Sequence, residues 1–164
     1  MDTPAHLDRI LAFLREIGLP IAQARLAEGE AFLPGLTLRN GGLVYDPDRL
    51  LHPGDLLHEA GHLAVLPPES RAGVGTADLL EEPVTEVAAI AWSVAALIHL
   101  GLPFGVVFHE EGYRGHHRAL AMAYTLGVYP GLPGLESAGL AAGPQRAAQL
   151  GAPPYPAMIR WLRE

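Results

Sequence analysis

Residues 53–68 read PGDLLHEAGHLAVLPP. Pro53 suits the first turn of a helix, where its missing N–H costs nothing, and Pro67-Pro68 bring a helix to an end. A helix is therefore expected from near Pro53 through Asp55 and Leu63 toward the two prolines. Within it, His58 and His62 are four residues apart and stack on one face, so both imidazoles can reach one metal ion. Glu59, about 100° round the helix, can reach a water beside that ion. The spacing suits Zn²⁺: two neutral imidazoles bind at about 2.0–2.1 Å, and an open position keeps a water whose pKa falls toward about 7. A neighbouring carboxylate then takes the proton. The chain holds 8 His among 164 residues, and at that frequency shuffling would produce His-Glu-x-x-His with an expectation of only about 0.03.

Upstream, Leu36-Thr37-Leu38-Arg39 and Gly42-Leu43-Val44-Tyr45 flank Asn40-Gly41, a strong short-range signal for a β-hairpin, which Asp46-Pro47 ends. Before it, Thr3-Pro4 opens an amphipathic helix with Leu7, Ile10, Leu11 and Leu14 at helical spacing up to Gly18. Downstream, a Gly-rich loop over 69–76 leads to a long apolar helix that begins at Ala77 or Pro83 and ends at Gly101. Residues 103–108 suggest one more short strand. His116–Leu126 reads as a helix with Leu120, Ala123 and Tyr124 facing inward. Beyond Gly127 the chain is turn-rich, with helical pattern only over 145–150 and 157–162. The expectation is an α+β fold of one domain over residues 1–164. A small hairpin-based sheet packs on the His-Glu-x-x-His helix and a long buried helix, and residues 128–164 form an irregular C-terminal segment. The strand near Leu43–Tyr45 is expected at the sheet edge, bordering a cleft.

A catalytic zinc site needs a third protein ligand. The extended motif HExxHxxGxxH is ruled out, because Val65 and Pro68 stand where it needs Gly and His. Gly75-Thr76-Ala77-Asp78 falls one residue short of GTxxD, which keeps Asp78 as a candidate. Glu81, Glu82 and Glu86 lie at a distance suited to a second helix packed behind the first. Glu86 is preferred: it begins the apolar stretch, and Ala89, Ile90, Ser93 and Leu97 continue its face. A carboxylate on a buried stripe wants a counter-charge, which a metal supplies. Glu82, one turn earlier, could serve instead or orient a ligand imidazole. His109 is a further possible ligand. His99 reads as a last-turn residue favourable to the helix dipole, while His6 and His52 carry no pattern.

Composition narrows the chemistry. There is no Cys, so disulfides, thiolate metal sites and a Cys nucleophile are excluded, and any metal must be held by His and carboxylate. Net charge is −7 and every base is Arg, with no basic stripe or tail, so nucleic acid is not expected as a partner. Val87–Phe108 runs 22 residues without Asp, Glu, Lys or Arg. Its flanks lack positive anchors, and Gly101, Pro103 and Gly105 interrupt it, which favours a buried core helix over a membrane span. The N-terminal residues have acids where a secretory signal would be basic, so a cytoplasmic location is expected. Nucleophile-elbow and P-loop motifs are absent.

His58-Glu59-x-x-His62, with Glu86 followed by apolar Ile90, small Ala91 and bulky Trp92 and preceded by the hairpin strand, resembles the gluzincin-like zincins. Among these metallopeptidases the chain is most similar to the compact ImmA/IrrE-type group, over roughly residues 36–100. The resemblance implies a zincin fold, with His58, His62 and Glu86 as zinc ligands and Glu59 as general base. A peptide or protein substrate is expected to lie as an added strand against the sheet edge near Leu43–Tyr45. Zincins often place a His, Tyr or Arg across the cleft to stabilise an oxyanion, and Tyr113, Arg114, His116 or His117 in the stretch HEEGYRGHH could do so, Tyr113 and His116 foremost. The alternative expectation is a non-catalytic zinc-binding regulatory or interaction module on the same fold, its last coordination position closed by His109 or Asp78.

Overall fold

Leu7, Ile10, Leu11 and Leu14 form the inner face of the first helix, α1 (Thr3–Glu16), in a computed structural model that describes residues 3–75 and 83–164. Ile10, Leu11, Phe13 and Leu14 are buried, and α1 ends just before Gly18, which takes a left-handed φ of 88°. Three short strands follow: β1 (Ile21–Gln23), β2 (Leu36–Arg39) and β3 (Gly42–Tyr45). Asn40 and Gly41 turn the hairpin with φ of 50° and 71°, the positive angles that a two-residue turn matched to strand twist requires. β2 pairs antiparallel with β3, Leu36 opposite Tyr45 and Arg39 opposite Gly42.

The strand order is β1-β3-β2, because β1 adds parallel to the other side of β3, with Ile21 opposite Leu43 and Gln23 opposite Tyr45. Leu43–Tyr45 is thus the buried centre of the sheet and not its edge, which corrects the sequence expectation. β1 is only three residues long and sits in a Gly/Pro-punctuated segment, so it carries too little alternation to be read in advance.

The His-Glu-x-x-His helix, α2, spans Gly54–Val65 and ends where Leu66 turns to extended backbone ahead of Pro67. Pro68 then opens a single further turn, α3 (Pro68–Arg71). From it Arg71 reaches back and donates to the carbonyls of Leu63 and Leu66, at 2.9 Å each, satisfying acceptors that the end of α2 leaves open. The long apolar stretch forms α4 (Pro83–His99), whose residues from Ala88 to Leu97 are all buried. It is the core helix, packed between α2 and α6 (Leu132–Ser137). No described helix is long and apolar enough to cross a membrane. His99 ends α4 with its ring against Phe13 and Trp161.

Residues 103–108 do not form a strand. Pro103 sets an extended cap at ψ 148°, and Phe104–Val106 then make one 3₁₀ turn. α5 (His117–Thr125) buries Tyr124, and α7 (Pro144–Leu150) matches the expected helical run. Residues 157–162 are irregular, not helical, and work as a strap behind the two long helices. Trp161 accepts from the Trp92 indole through its carbonyl (2.9 Å), the Arg163 amide donates to the Ala64 carbonyl (3.0 Å), and Arg71 donates to the Arg163 carbonyl (2.6 Å). The Trp161 ring meets Phe13 at 4.8 Å and Trp92 at 5.5 Å, both edge-on. Trp161→Ala removes this aromatic packing and is expected to cost about 2–4 kcal/mol. Denaturant unfolding of the two proteins side by side checks it.

Candidate metal centre

α2 carries His58, Glu59 and His62, and α4 brings Glu86 up to them. The closeness of the two helices has a local cause. At Gly61, inside the motif, an added Cβ would lie 2.6 Å from the Ala89 carbonyl oxygen and 2.9 Å from its Cα, so only glycine lets the backbones meet here.

The resulting geometry is tight. His58 Nε2 lies 3.2 Å from His62 Nε2, and Glu86 Oε2 lies 3.1 Å from His62 Nε2 and 3.5 Å from His58 Nε2. The three atoms form a triangle with nearly equal edges. Tetrahedral zinc ligands at about 2.0–2.1 Å from the ion stand about 3.3–3.4 Å from one another, so the triangle has the dimensions of one face of such a site. His58, Glu59 and His62 likewise each offer a donor atom within 4.8 Å of the others, a group able to hold a metal ion. The donor set, imidazole and carboxylate, fits zinc.

The electrostatics favour a cation. Burial disfavours the charged imidazolium of His58, yet the bond to Glu86 and the charges of Glu59, Glu86 and Asp55 outweigh it and hold its pKa above the ordinary value. Glu86, half-exposed, is held well below the carboxylate range by its contacts with His58 and His62. Glu59 moves the other way: it is 6 % exposed, and burial raises its pKa against the opposing pull of the two imidazoles. It faces a narrow apolar slit under β2, lined by Phe32, Leu33, Leu36, Thr37 and Leu38. The Nδ1 atoms of His58 and His62 are buried and have no hydrogen-bond partner among the described residues.

No family model, curated protein or solved structure matches the chain. What the site can do follows from its own geometry.

Of the other sequence candidates, Tyr113 is at the site, its ring edge-on to His58 with centroids 5.5 Å apart and planes at 86°. Burial raises its pKa far above the ordinary phenol value, the charges of Asp55 and Glu86 add to this, and the Ser93 hydroxyl beside it offsets a part. His116 is exposed, and no hydrogen bond, ion pair or ring contact joins it to the donor trio among the described residues. Arg114 is exposed as well, while both ring nitrogens of His117 are buried without a hydrogen-bond partner among the described residues. His109 is not at the trio; its Nε2 lies 2.9 Å from Asp55 Oδ1. Asp78, Glu81 and Glu82 lie outside the described residues.

Sequence reasoning missed Asp55 and His52. Asp55 is three residues before His58 and four before Glu59, spacings that place it on the same side of α2. That offset was the available signal. His52 had none, since its partner is 59 residues away.

Proposed function

We propose that this chain is a zinc-dependent metallopeptidase of the HExxH zincin type, in which His58, His62 and Glu86 hold the ion and Glu59 is the general base. The observation that carries the reading is the near-equilateral triangle of His58 Nε2, His62 Nε2 and Glu86 Oε2, which has the spacing of zinc ligands. Zinc bound there supplies Lewis acidity, lowering the pKa of a water toward about 7 and polarising a carbonyl.

The protein's own groups do the rest. Glu59, with its pKa raised by burial, accepts a proton from the attacking water and delivers it to the leaving amine. Tyr113, with its ring edge-on to His58, offers a hydroxyl donor to charge developing on the carbonyl oxygen, so the proposal gives it the role and not the exposed His116.

The reading is tested by elemental analysis of purified protein, wild type beside His62→Ala and Glu86→Ala. About one zinc per chain is expected in the wild type, lost in both variants. A wild type that neither contains zinc nor takes it up sinks the proposal. Zinc retained in Glu86→Ala would move the third ligand to Glu59 or to the acids of 78–82.

A further inference from the structure

The loop after the 3₁₀ turn at 104–106 runs back across the start of α2, and it is fastened there twice. His109 Nε2 meets Asp55 Oδ1 at 2.9 Å, with both side chains only 13 % exposed. His52 Nε2 meets Glu111 Oε2 at 2.9 Å on the outer side. The two imidazoles lie face to face, ring centroids 3.7 Å apart and planes 8° from parallel. Gly112 follows directly, and a Cβ there would stand 3.2 Å from His109 Cε1, so the backbone folds closely over the stacked ring.

Immediately beyond the fastening, Tyr113 and Arg114 are both left-handed, with φ of 55° and 51°. Consecutive non-glycine residues in that region persist only where their surroundings over-determine them. Tyr113 is also the residue whose ring covers His58 and packs on Phe108.

We propose that the carboxylate-paired, stacked histidines His52 and His109 are positioning residues: together they latch loop 109–116 to the start of α2 and so hold the strained Tyr113 against His58. The proposal rests on the functional reading above only in treating His58 as part of the metal centre. Asp55 and Glu111 are the groups that pair with the two imidazoles, and no other ion pair to them occurs among the described residues. The inner pair carries most of the latch, because a half-exposed surface pair such as His52 with Glu111 contributes little alone. The stacked rings couple the outer pair to the inner one.

The test uses metal-free protein throughout, so its outcome is independent of whether zinc binds. Amide hydrogen exchange is followed in wild type, His52→Ala, His109→Ala, the double variant and His109→Gln, which keeps a donor toward Asp55. Exchange over 109–116 is expected to quicken about tenfold or more in His109→Ala and about two- to threefold in His52→Ala, with α4 unchanged and His109→Gln between wild type and His109→Ala. The second readout is the His58 imidazole NMR signal, identified by its loss in His58→Gln. It should move in His109→Ala in the same direction as in Tyr113→Ala. Unchanged exchange in the double variant overturns the latch. Faster exchange with an unmoved His58 signal also overturns the proposal, since the histidines would then hold the loop without positioning Tyr113.

Discussion

Glu59→Gln is expected to keep zinc at about one ion per chain while lowering hydrolysis of any polypeptide that the wild type cleaves by about 10²–10⁴-fold. The substitution preserves shape and leaves His58, His62 and Glu86 untouched, but a neutral amide cannot accept the proton that the attacking water must lose. The environment sharpens the expectation. Glu59 is buried beside an apolar slit and its pKa is raised, the setting in which a carboxylate becomes a stronger base and can return the proton to a leaving amine. Zinc analysis and a cleavage assay on the same preparation separate the two roles open to this residue. Loss of zinc would make Glu59 a ligand, as its place among the three groups within 4.8 Å would also allow. Retention of both zinc and activity would remove it from the mechanism.

The second large effect is structural in origin. Gly61→Val places a branched side chain where the Ala89 carbonyl oxygen and Cα stand 2.6 and 2.9 Å from the new Cβ. Both obstacles are backbone, so no side chain can swing aside and α2 must move away from α4. Overpacking of this kind costs about 3 kcal/mol, and more where the backbone is rigid. The same displacement pulls Glu86 from the imidazoles, so zinc affinity should fall with stability. Urea unfolding and competition against a zinc-binding dye measure the two quantities. A Gly61→Val protein with wild-type stability and wild-type zinc affinity would show that the close helix contact does not govern the site.

Much of the fold was legible where the pattern was local. α1 and α2 are bounded by proline and glycine at the expected places, the Asn40-Gly41 turn sits between strands of matching length, and the apolar run of α4 is the core helix it was read to be. Failure came where a long-range contact outweighs local preference. β1 exists because three residues pair with β3, and that pairing moves Leu43–Tyr45 from an expected edge to the sheet centre. Residues 157–162 have helical periodicity, but the amides of Ile159 and Arg160 donate to the Leu140 carbonyl and the Trp161 carbonyl accepts from Trp92 on α4 instead. At the site, His58, Glu59 and His62 were readable because they are one turn of one helix, and Glu86 because its stripe is continuous. The His52 and His109 pair was not, since neither histidine has a meaningful neighbour in its own segment.

The strap formed by Trp161 and Arg163 bears on how the molecule is made. Trp92 on the core helix and Ala64 near the end of α2 find their partners 69 and 99 residues further along the chain. A polypeptide leaves the ribosome from its N-terminus at about 5–20 residues per second. For several seconds, therefore, the imidazoles and Glu86 are already outside while the residues that brace their helices from behind are still unmade or enclosed in the exit tunnel. The bracing of α2 and α4 from behind is consequently a late event in biosynthesis, timed by the emergence of residues 161–163 and not by that of the motif itself.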